Sequence, residues 1–347
     1  MKSFNESRIV QEAPEKNYKL VLISHDDPND TNDTGVLIRD TAKKMGIEVH
    51  LCEFMGAYLT RKGKKTFLNS FKVNKEGDIE TLGGDKGITD GKDHMQEPIE
   101  LDDNTLIMVR GIGTSGISGN ASWKNLAFQL EQEGHSVVNS TQCHWYCADK
   151  DLNQYMFEKE HFTTPITTRM THSEDGVEAM KRIGDEFPVI LKTGTGSRGI
   201  GVVYIESHKT LRAIAQLLYR ESEWTDILLQ EFVKCKYDVR AIVCCGEVIG
   251  AMKRPIVDGD FRSNVSQGSK AEAMELTEKE IAECIRAADC VEAKISGVDF
   301  IPATDREKGE PIFIEVNSTP GLKGIAEVIP NIVKDVLKCF YNREFWK

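Results

Sequence analysis

Charged and amide side chains stand inside two apolar runs between positions 297 and 317. Asp299 follows Gly297-Val298, and Glu315 and Asn317 alternate with apolar residues in Phe313-Ile314-Glu315-Val316-Asn317. Because side chains alternate across a strand, Glu315 and Asn317 share one face. A buried carboxylate is costly unless it is paired or binds a cation, and two carboxylates with an amide oxygen suit Mg²⁺. The pattern therefore predicts a metal site, against the alternative of a solvated face on an edge strand.

A glycine-rich segment follows a buried run that ends in a lysine. It begins at Lys192 and continues as Thr-Gly-Thr-Gly-Ser-Arg-Gly-Ile-Gly201. Glycine lets backbone amides approach phosphate oxygens closely, and the lysine supplies a positive charge. No Gly-Lys-Ser/Thr opens a helix, and a strand follows the glycines, so neither a P-loop nor a Rossmann fingerprint is present. A flexible turn between strands is the alternative.

Three further polar segments lie between residues 230 and 264. Gln230-Glu231-Phe232-Val233 closes an apolar run and is followed by Asp238-Val239-Arg240. A strand end can offer backbone groups to an adenine edge, and a carboxylate can hold ribose hydroxyls, although a solvated loop is the simpler reading. Arg262-Ser263-Asn264 follows Lys253-Arg254, and this basic cluster is predicted to meet phosphate or carboxylate unless it is a surface loop.

The order of apolar patterns predicts two kinds of architecture along the chain. Residues 1–15 form a polar N-terminal arm, and short apolar runs then alternate with helical patterns to about residue 147. This rhythm favours a parallel, helix-covered sheet, interrupted by a polar insertion at about 60–103 with a hairpin near 71–82. Beyond a linker at Thr164-Pro165 the pattern is rich in strands with inserted helices, which is typical of α+β domains.

Composition excludes several classes of protein. The chain has 347 residues, of which 44 are basic and 55 are acidic, so its net charge is −11. This negative charge argues against a general nucleic-acid-binding protein and against an anionic membrane surface as the main partner. No stretch approaches the ~20 apolar residues of a membrane span, and the start lacks a secretion signal. The nine cysteines form no compact framework, so we expect reduced thiols in a cytoplasmic protein. Cys143 and Cys147 lack a second ligand pair for zinc and are interpreted as packing residues.

Taken in order, these segments resemble the ATP-grasp superfamily, and most closely the RimK-type α-L-glutamate ligases. The matching segments are Leu191-Lys192 with Gly199-Ile200-Gly201-Val202, Gln230-Glu231-Phe232, Asp238-Val239-Arg240, residues 259–264, Gly297-Val298-Asp299 and residues 315–325. The resemblance implies an α/β N-terminal domain over 16–147, followed by an α+β ATP-grasp unit of two lobes, 148–228 and 229–347.

The resemblance also implies an activity. It is ATP-dependent amide formation through an acyl phosphate, which adds glutamate or a related amino acid to a protein or peptide C-terminus. A small-molecule amino-acid ligase, an ATP-grasp kinase and a non-catalytic ATP-binding module remain alternatives. The implied cofactors are ATP and Mg²⁺, with Mn²⁺ as an alternative ion, and the implied assembly is a homo-oligomer without nucleic-acid or membrane partners.

Residue roles follow from the same resemblance. The glycine-rich segment is implied to be a lid over the nucleotide. The implied ATP-binding residues are Lys150, Lys192, Ser197, Gly199, Gln230, Glu231, Phe232, Val233, Asp238, Arg262, Ser263 and Asn264. Arg240, Arg262 and Asn264 are the implied catalytic residues, which face the transferring phosphate and the carboxylate. Asp299, Glu315 and Asn317 are the implied magnesium ligands.

Overall fold

The chain divides into two compact units in a computed structural model. The model describes residues 18–24, 33–53, 56–71, 95–110, 117–193, 201–221, 226–256 and 270–346. Unit 1 comprises the described residues up to Thr141 together with those from Gly321 onward, and unit 2 runs from Gln142 to Pro320.

A parallel sheet of four strands forms the centre of unit 1, in the order β2-β1-β6-β7. Its strands are β1 (Lys19–Ser24), β2 (Val49–Glu53), β6 (Thr105–Arg110) and β7 (Ser136–Val138). Helices α1 (Asp33–Lys44) and α2 (Ile117–Gln132) belong to the same unit. All six residues of β6 are buried, as expected for a parallel strand covered on both faces. The predicted α/β character of this region is confirmed.

A second, antiparallel sheet lies within the predicted insertion. It contains β3 (Tyr58–Lys62), β4 (Lys65–Asn69) and β5 (Ile99–Leu101), in that order. The β3–β4 turn includes Gly63 at a φ of +65°, a conformation that glycine adopts without steric strain. The sequence also predicts a hairpin near 71–82, and residues 72–82 lie outside the described part of the chain.

Residues beyond Gly321 return to unit 1. They form α8 (Lys323–Val328) and α9 (Ile332–Cys339), and α9 packs against α1 through its apolar face. The Tyr18 hydroxyl at the start of β1 donates a 2.9 Å hydrogen bond to the Leu337 carbonyl. The resemblance implies one lobe over 229–347; in the structure, the described residues from Gly321 onward group with unit 1.

The first half of unit 2 carries helices and an antiparallel sheet of order β10-β9-β11-β8. The elements are α3 (Thr141–Ala148), α4 (Lys150–Lys159), β8 (Thr167–Met170), α5 (Gly176–Arg182), β9 (Val189–Thr193), β10 (Val202–Ile205), α6 (His208–Glu221) and β11 (Ile227–Glu231). Asp149 caps α4, because its Oδ1 accepts hydrogen bonds from the amides of Asp151 and Leu152. Apolar side chains of α5 and α6 share a core with this sheet.

The second half of unit 2 is a five-stranded antiparallel sheet of order β14-β13-β12-β15-β16. The elements are β12 (Tyr237–Cys244), β13 (Glu247–Pro255), β14 (Glu272–Ala273), α7 (Glu278–Cys290), β15 (Ile295–Ile301) and β16 (Ile312–Asn317). The spacing Thr277-x-x-Glu280 is typical of a capping box, and a reciprocal pair of hydrogen bonds between these two residues opens α7.

Across the described ranges, no helix has the length and apolar character needed to span a bilayer.

Candidate functional site

Three strands of the five-stranded sheet bring one predicted catalytic residue, Arg240, and the predicted metal ligands onto one face. Arg240 of β12 lies directly opposite Asp299 of β15, which in turn lies opposite Glu315 of β16. Directly opposed residues share a face of the sheet, and so do residues two apart on one strand. Asp238 therefore accompanies Arg240, and Asn317 accompanies Glu315.

Two arginines bind the acidic side chains of this face. Arg240 holds the Asp299 carboxylate with two hydrogen bonds, Nε to Oδ1 at 2.7 Å and Nη2 to Oδ2 at 2.6 Å. Arg254 holds Asp238 in the same two-pronged way, at 2.8 and 2.6 Å. The Nη2 atom of Arg254 also lies 3.0 Å from Asp299 Oδ2, so the four side chains form one chain of alternating charge.

The opposite charges in this network outweigh the effect of burial on the pKa values of its members. Burial raises the pKa of the Asp299 carboxyl, but the cations of Arg240 and Arg254 outweigh that effect and hold the pKa below its ordinary value. Burial likewise lowers the pKa of Arg254, and the carboxylates of Asp299 and Asp238 more than reverse it. Asp299 and Arg254 are therefore both charged at neutral pH, as a buried ion pair requires.

Gly297 lies close to Pro320 and beside one of these arginines. A Cβ atom at this position would lie 3.5 Å from the Arg240 Cδ and 3.0 Å from the Pro320 Cβ. The second of these distances is tighter than nearly all real Cβ contacts. The absence of a side chain at Gly297 is therefore explained by close packing against Pro320, whereas the distance to Arg240 is an ordinary van der Waals contact.

Glu315 and Asn317 present oxygen atoms that fit a hard cation. The Asn317 amide nitrogen donates a 3.1 Å hydrogen bond to Glu315 Oε1, so its own oxygen is available as an acceptor. Asp299 Oδ1 keeps a second lone pair beside its contact with Arg240, whereas Oδ2 lies against both arginines. Where the structure describes the chain, no three His, Cys, Asp or Glu side chains are grouped closely enough to hold a metal alone. Two carboxylates, an amide and phosphate oxygens are nevertheless a donor set suited to Mg²⁺.

Lys192 lies on β9, and two charged residues from elsewhere in unit 2 influence its pKa. The pKa of Lys192 is lowered to about 8, chiefly by burial; Glu315 opposes this shift, and Lys150 adds to it. The two predicted phosphate-binding lysines and the predicted metal ligand Glu315 are therefore within electrostatic range of one another. The stem of the glycine-rich segment is held by a hydrogen bond from the Thr193 amide to the Gly201 carbonyl, at 2.9 Å.

The predicted adenine segment is anchored to the neighbouring strand by its side chains. Gln230 is buried, and its amide donates a 2.8 Å hydrogen bond to Thr167 Oγ1. The Glu231 amide donates to the Ile166 carbonyl at 2.9 Å, while its carboxylate accepts from the Ile166 amide at 3.0 Å. The Phe232 ring meets the Tyr204 ring edge to face, with centroids 5.1 Å apart. Val233 follows this segment outside the strand.

Several predicted site residues lie outside the described part of the chain. They are Ser197 and Gly199 of the glycine-rich segment, and Arg262, Ser263 and Asn264 of the polar loop.

The sequence analysis grouped Arg254 with a loop that meets anionic ligands. The structure places it on β13, where it is buried and bound to Asp238 and Asp299. Its neighbour Lys253 points to the other side and pairs with Glu272 at 2.7 Å. Strand alternation within Ala-Met-Lys-Arg-Pro was the signal that could have separated the two residues.

Comparison with known proteins identifies the class to which this arrangement belongs. The ATP-grasp ligase PsnB, solved with a phosphomimetic variant of its minimal precursor, Mg and ADP, superposes with a TM-score of 0.65, at 16% identity over 95% of this chain and 99% of PsnB. D-alanine–D-alanine ligase from Bacillus anthracis, solved with ATP, gives a TM-score of 0.61 at 14% identity, over 95% of this chain and 98% of that enzyme. The fold is therefore an ATP-grasp fold, as predicted.

Sequence comparison assigns the chain to a family within this fold. The family model for the RimK-like ATP-grasp domain matches residues 147–339, which is more than half of the chain. The chain belongs to this family, and the predicted RimK-type resemblance is confirmed. A protein of Teredinibacter turnerae named probable alpha-L-glutamate ligase is 36% identical over 57% of this chain, and the match covers 64% of that relative. One of the same name in Halorhodospira halophila is 33% identical over 62% of this chain and 70% of its own length.

Proposed function

We propose that this protein is an ATP-dependent carboxylate–amine ligase. The observation that carries the proposal is the row Arg240–Asp299–Glu315 on one sheet face, with Lys192 in electrostatic range of Glu315. These residues lie within the region matched by the RimK-like family model. Such a row supplies both the cations that attract phosphate and the oxygens that hold a metal ion.

The proposed reaction proceeds in two steps. A carboxylate oxygen of one substrate attacks the γ-phosphorus of ATP, an O–P bond forms, and ADP leaves. An amine nitrogen of the second substrate then attacks the acyl carbon, the bond to the phosphate oxygen breaks, and inorganic phosphate leaves as the amine loses a proton. Lys150 and Lys192 bind the triphosphate, and Arg240 faces the transferring phosphoryl group with Arg262 and Asn264.

The remaining roles concern the nucleotide. The backbone of Gln230 to Val233 binds adenine, Asp238 the ribose, and Ser197, Gly199, Arg262, Ser263 and Asn264 complete the ATP site. Asp299, Glu315 and Asn317 would hold Mg²⁺, for which Mn²⁺ is the substitute ion. When bound, the ion neutralises phosphate charge that would otherwise repel the incoming carboxylate.

The proposed substrates are glutamate, or a related amino acid, and the C-terminal carboxylate of a protein or peptide. The names of the two relatives support glutamate as the added amino acid. The precursor bound by PsnB and the precursor peptide bound by the macrocyclase MdnC, an 11%-identical neighbour with a TM-score of 0.62, support a peptide substrate. That the protein is cytoplasmic and forms a homo-oligomer stays a prediction. Light scattering of the purified chain tests the oligomeric state.

An amino-acid panel tests the proposal. The full chain is incubated with Mg²⁺, ATP, each amino acid and a set of peptides, and ADP release is followed by mass spectrometry of the peptides. We expect ADP in proportion to a peptide mass gain of one amino-acid residue, with glutamate as the donor. If ADP forms without any amine and a stable phosphorylated product accumulates, the ligase assignment is wrong and a kinase is indicated.

A paired variant tests the metal assignment. Glu315→Ala with Asn317→Ala removes two of the proposed ligands, so we expect Mg²⁺-dependent ATP turnover to fall by at least about a hundredfold. The control is Glu310→Ala, which removes an exposed carboxylate just before the same strand; among the described residues, Glu310 forms an ion pair with Lys279. Equal turnover in the paired variant and the control contradicts the assignment.

A further inference from the structure

The outer edge of β16 is closed by side chains and backbone that belong to no strand. β16 is the last strand of its sheet, so one row of its backbone groups faces away from β15. The Phe313 amide donates to the Thr163 carbonyl at 2.8 Å, and the Ser318 hydroxyl lies 2.9 Å from His144 Nδ1. Between these two contacts, a single side chain binds both backbone groups of Val316.

That side chain is Asn153 of helix α4. Its Oδ1 accepts a 3.1 Å hydrogen bond from the Val316 amide, and its Nδ2 lies 3.4 Å from the Val316 carbonyl. Nδ2 also donates toward the Tyr146 carbonyl at 3.4 Å. Asn153 and Val316 are both fully buried. The carboxamide thus takes the place of a neighbouring strand at the one residue between Glu315 and Asn317.

The same helix carries a proposed phosphate-binding lysine. Lys150 is the first residue of α4, and Asn153 stands three residues later, so both side chains lie on one side of the helix. Lys150 acts electrostatically on Lys192 together with Glu315. One buried side chain therefore joins the helix that bears Lys150 to the strand that bears Glu315 and Asn317.

We propose that Asn153 is a positioning residue for the metal–nucleotide site, an inference that depends on the function proposed above. It fixes the backbone between the two β16 ligands and sets the distance of that pair from Lys150. Removing it leaves Glu315 and Asn317 chemically intact but lets their strand edge shift. Residues that support metal ligands typically alter metal affinity roughly ten- to hundredfold when they are replaced.

A neighbouring residue on the same helix provides the matched control. Gln154 is also buried and hydrogen-bonds through its amide, but its partners are Glu158, Thr164 Oγ1 and the Pro165 carbonyl, none of them on β16. Asn153→Ala and Gln154→Ala therefore both remove a buried amide from α4. Only Asn153→Ala releases the strand that carries the proposed ligands.

The experiment measures binding of a non-hydrolysable ATP analogue to the full chain as Mg²⁺ is varied, beside the thermal unfolding midpoint of each variant. We expect Asn153→Ala to raise the half-saturating Mg²⁺ concentration about tenfold or more, and Gln154→Ala to leave it within about twofold of the unchanged chain. Both variants are expected to lower the unfolding midpoint similarly. Asn153→Asp keeps the acceptor for the Val316 amide and loses the donor, so it is expected to raise the Mg²⁺ requirement as well. This variant replaces Asn153→Ala in the experiment if the alanine variant does not fold.

Two results would overturn the inference, and they are distinguishable. If Asn153→Ala, or Asn153→Asp in its place, requires the same Mg²⁺ concentration as Gln154→Ala while the unchanged chain binds the analogue, Asn153 is only a structural residue. If the unchanged chain shows no Mg²⁺-dependent binding of the analogue, the proposed function itself is wrong and the positioning role falls with it.

Discussion

Replacing Arg254 by methionine is the sharpest test of how the charged face is held together. Arg254 donates two hydrogen bonds to Asp238 and lies 3.0 Å from Asp299, and both Arg254 and Asp299 are almost fully buried. Methionine fills much of the volume but carries no charge, so Asp238 loses its arginine and Asp299 keeps only Arg240. Removing one partner from a buried ion pair costs about 3–5 kcal/mol, because the other charge is left buried.

Native-state amide exchange, read by mass spectrometry, measures this loss within unit 2. Two units need not unfold together, so a local measurement is preferable to a single melting curve. A loss of 3–5 kcal/mol corresponds to exchange that is roughly 150- to 5,000-fold faster in peptides covering β12, β13 and β15. The control is Arg212→Met, which breaks a pair with Glu174 in which both side chains are more than half exposed, and should cost at most about 1 kcal/mol. If the two variants accelerate exchange equally, the ion network does not stabilise this sheet.

The same variant changes the response to acid. The pKa of Asp299 is held below its ordinary value, so its charged form stabilises the fold above about pH 4, and this contribution is lost as the pH falls through the folded-state pKa. Without Arg254, burial acts against fewer positive charges and the pKa of Asp299 rises. We therefore expect the acid unfolding of Arg254→Met to begin at a higher pH than that of the unchanged chain. An unchanged acid midpoint, measured by circular dichroism, would show that Arg254 does not influence Asp299.

Three further predictions concern other parts of the chain. Thr277→Ala removes the cap that accepts from the Glu280 amide at 3.2 Å, and urea unfolding should show a loss of about 1 kcal/mol. Burial raises the pKa of the Cys284 thiol well above its ordinary value, so alkylation by iodoacetamide at pH 8 should be far slower in the folded chain than in urea; equal rates would contradict its burial. Tyr18→Phe removes the 2.9 Å hydrogen bond to the Leu337 carbonyl, and exchange of α9 amides should reveal a loss of about 0.5–1.5 kcal/mol, whereas unchanged α9 exchange would refute this anchoring role.

The elements predicted correctly share a strong local signal. Residues 20–23 and 106–109 are each four consecutive apolar residues, a pattern typical of strands covered on both faces, and they lie in β1 and β6. The Thr277–Glu280 capping box marks the start of α7 in the sequence as in the structure. In each case the information lies within a few consecutive residues.

The elements missed depend on distant contacts. β3 and β4 are rich in lysine, threonine and arginine, and only their pairing with each other and with β5 makes them strands. β8 follows Thr164-Pro165, which predicts a linker, and it is a strand because β11 lies beside it. Local propensity is a weak guide to such segments, because edge strands take much of their stability from their neighbours.

The candidate site likewise combines features that the local sequence predicts with features that depend on distant contacts. Residue types and alternation are enough to place Glu315 and Asn317 on one face, and the structure agrees. The partners of Asp299 could not be predicted, because Arg240 and Arg254 lie 59 and 45 positions away along the chain, on two other strands. The role of Asn153 was equally hidden, since an asparagine within a polar helix carries no signal that it binds a strand.

The return of α8 and α9 to unit 1 has a consequence for the order in which the two units can form during synthesis. A ribosome produces β1 first, but the carbonyl that receives the Tyr18 hydroxyl belongs to Leu337, which follows all of unit 2. Unit 2 is continuous in sequence, so every residue it needs has been made before α9 exists. Unit 1 is therefore started first but completed second. Throughout the synthesis of unit 2, the surface of unit 1 against which α9 packs remains uncovered on the nascent chain.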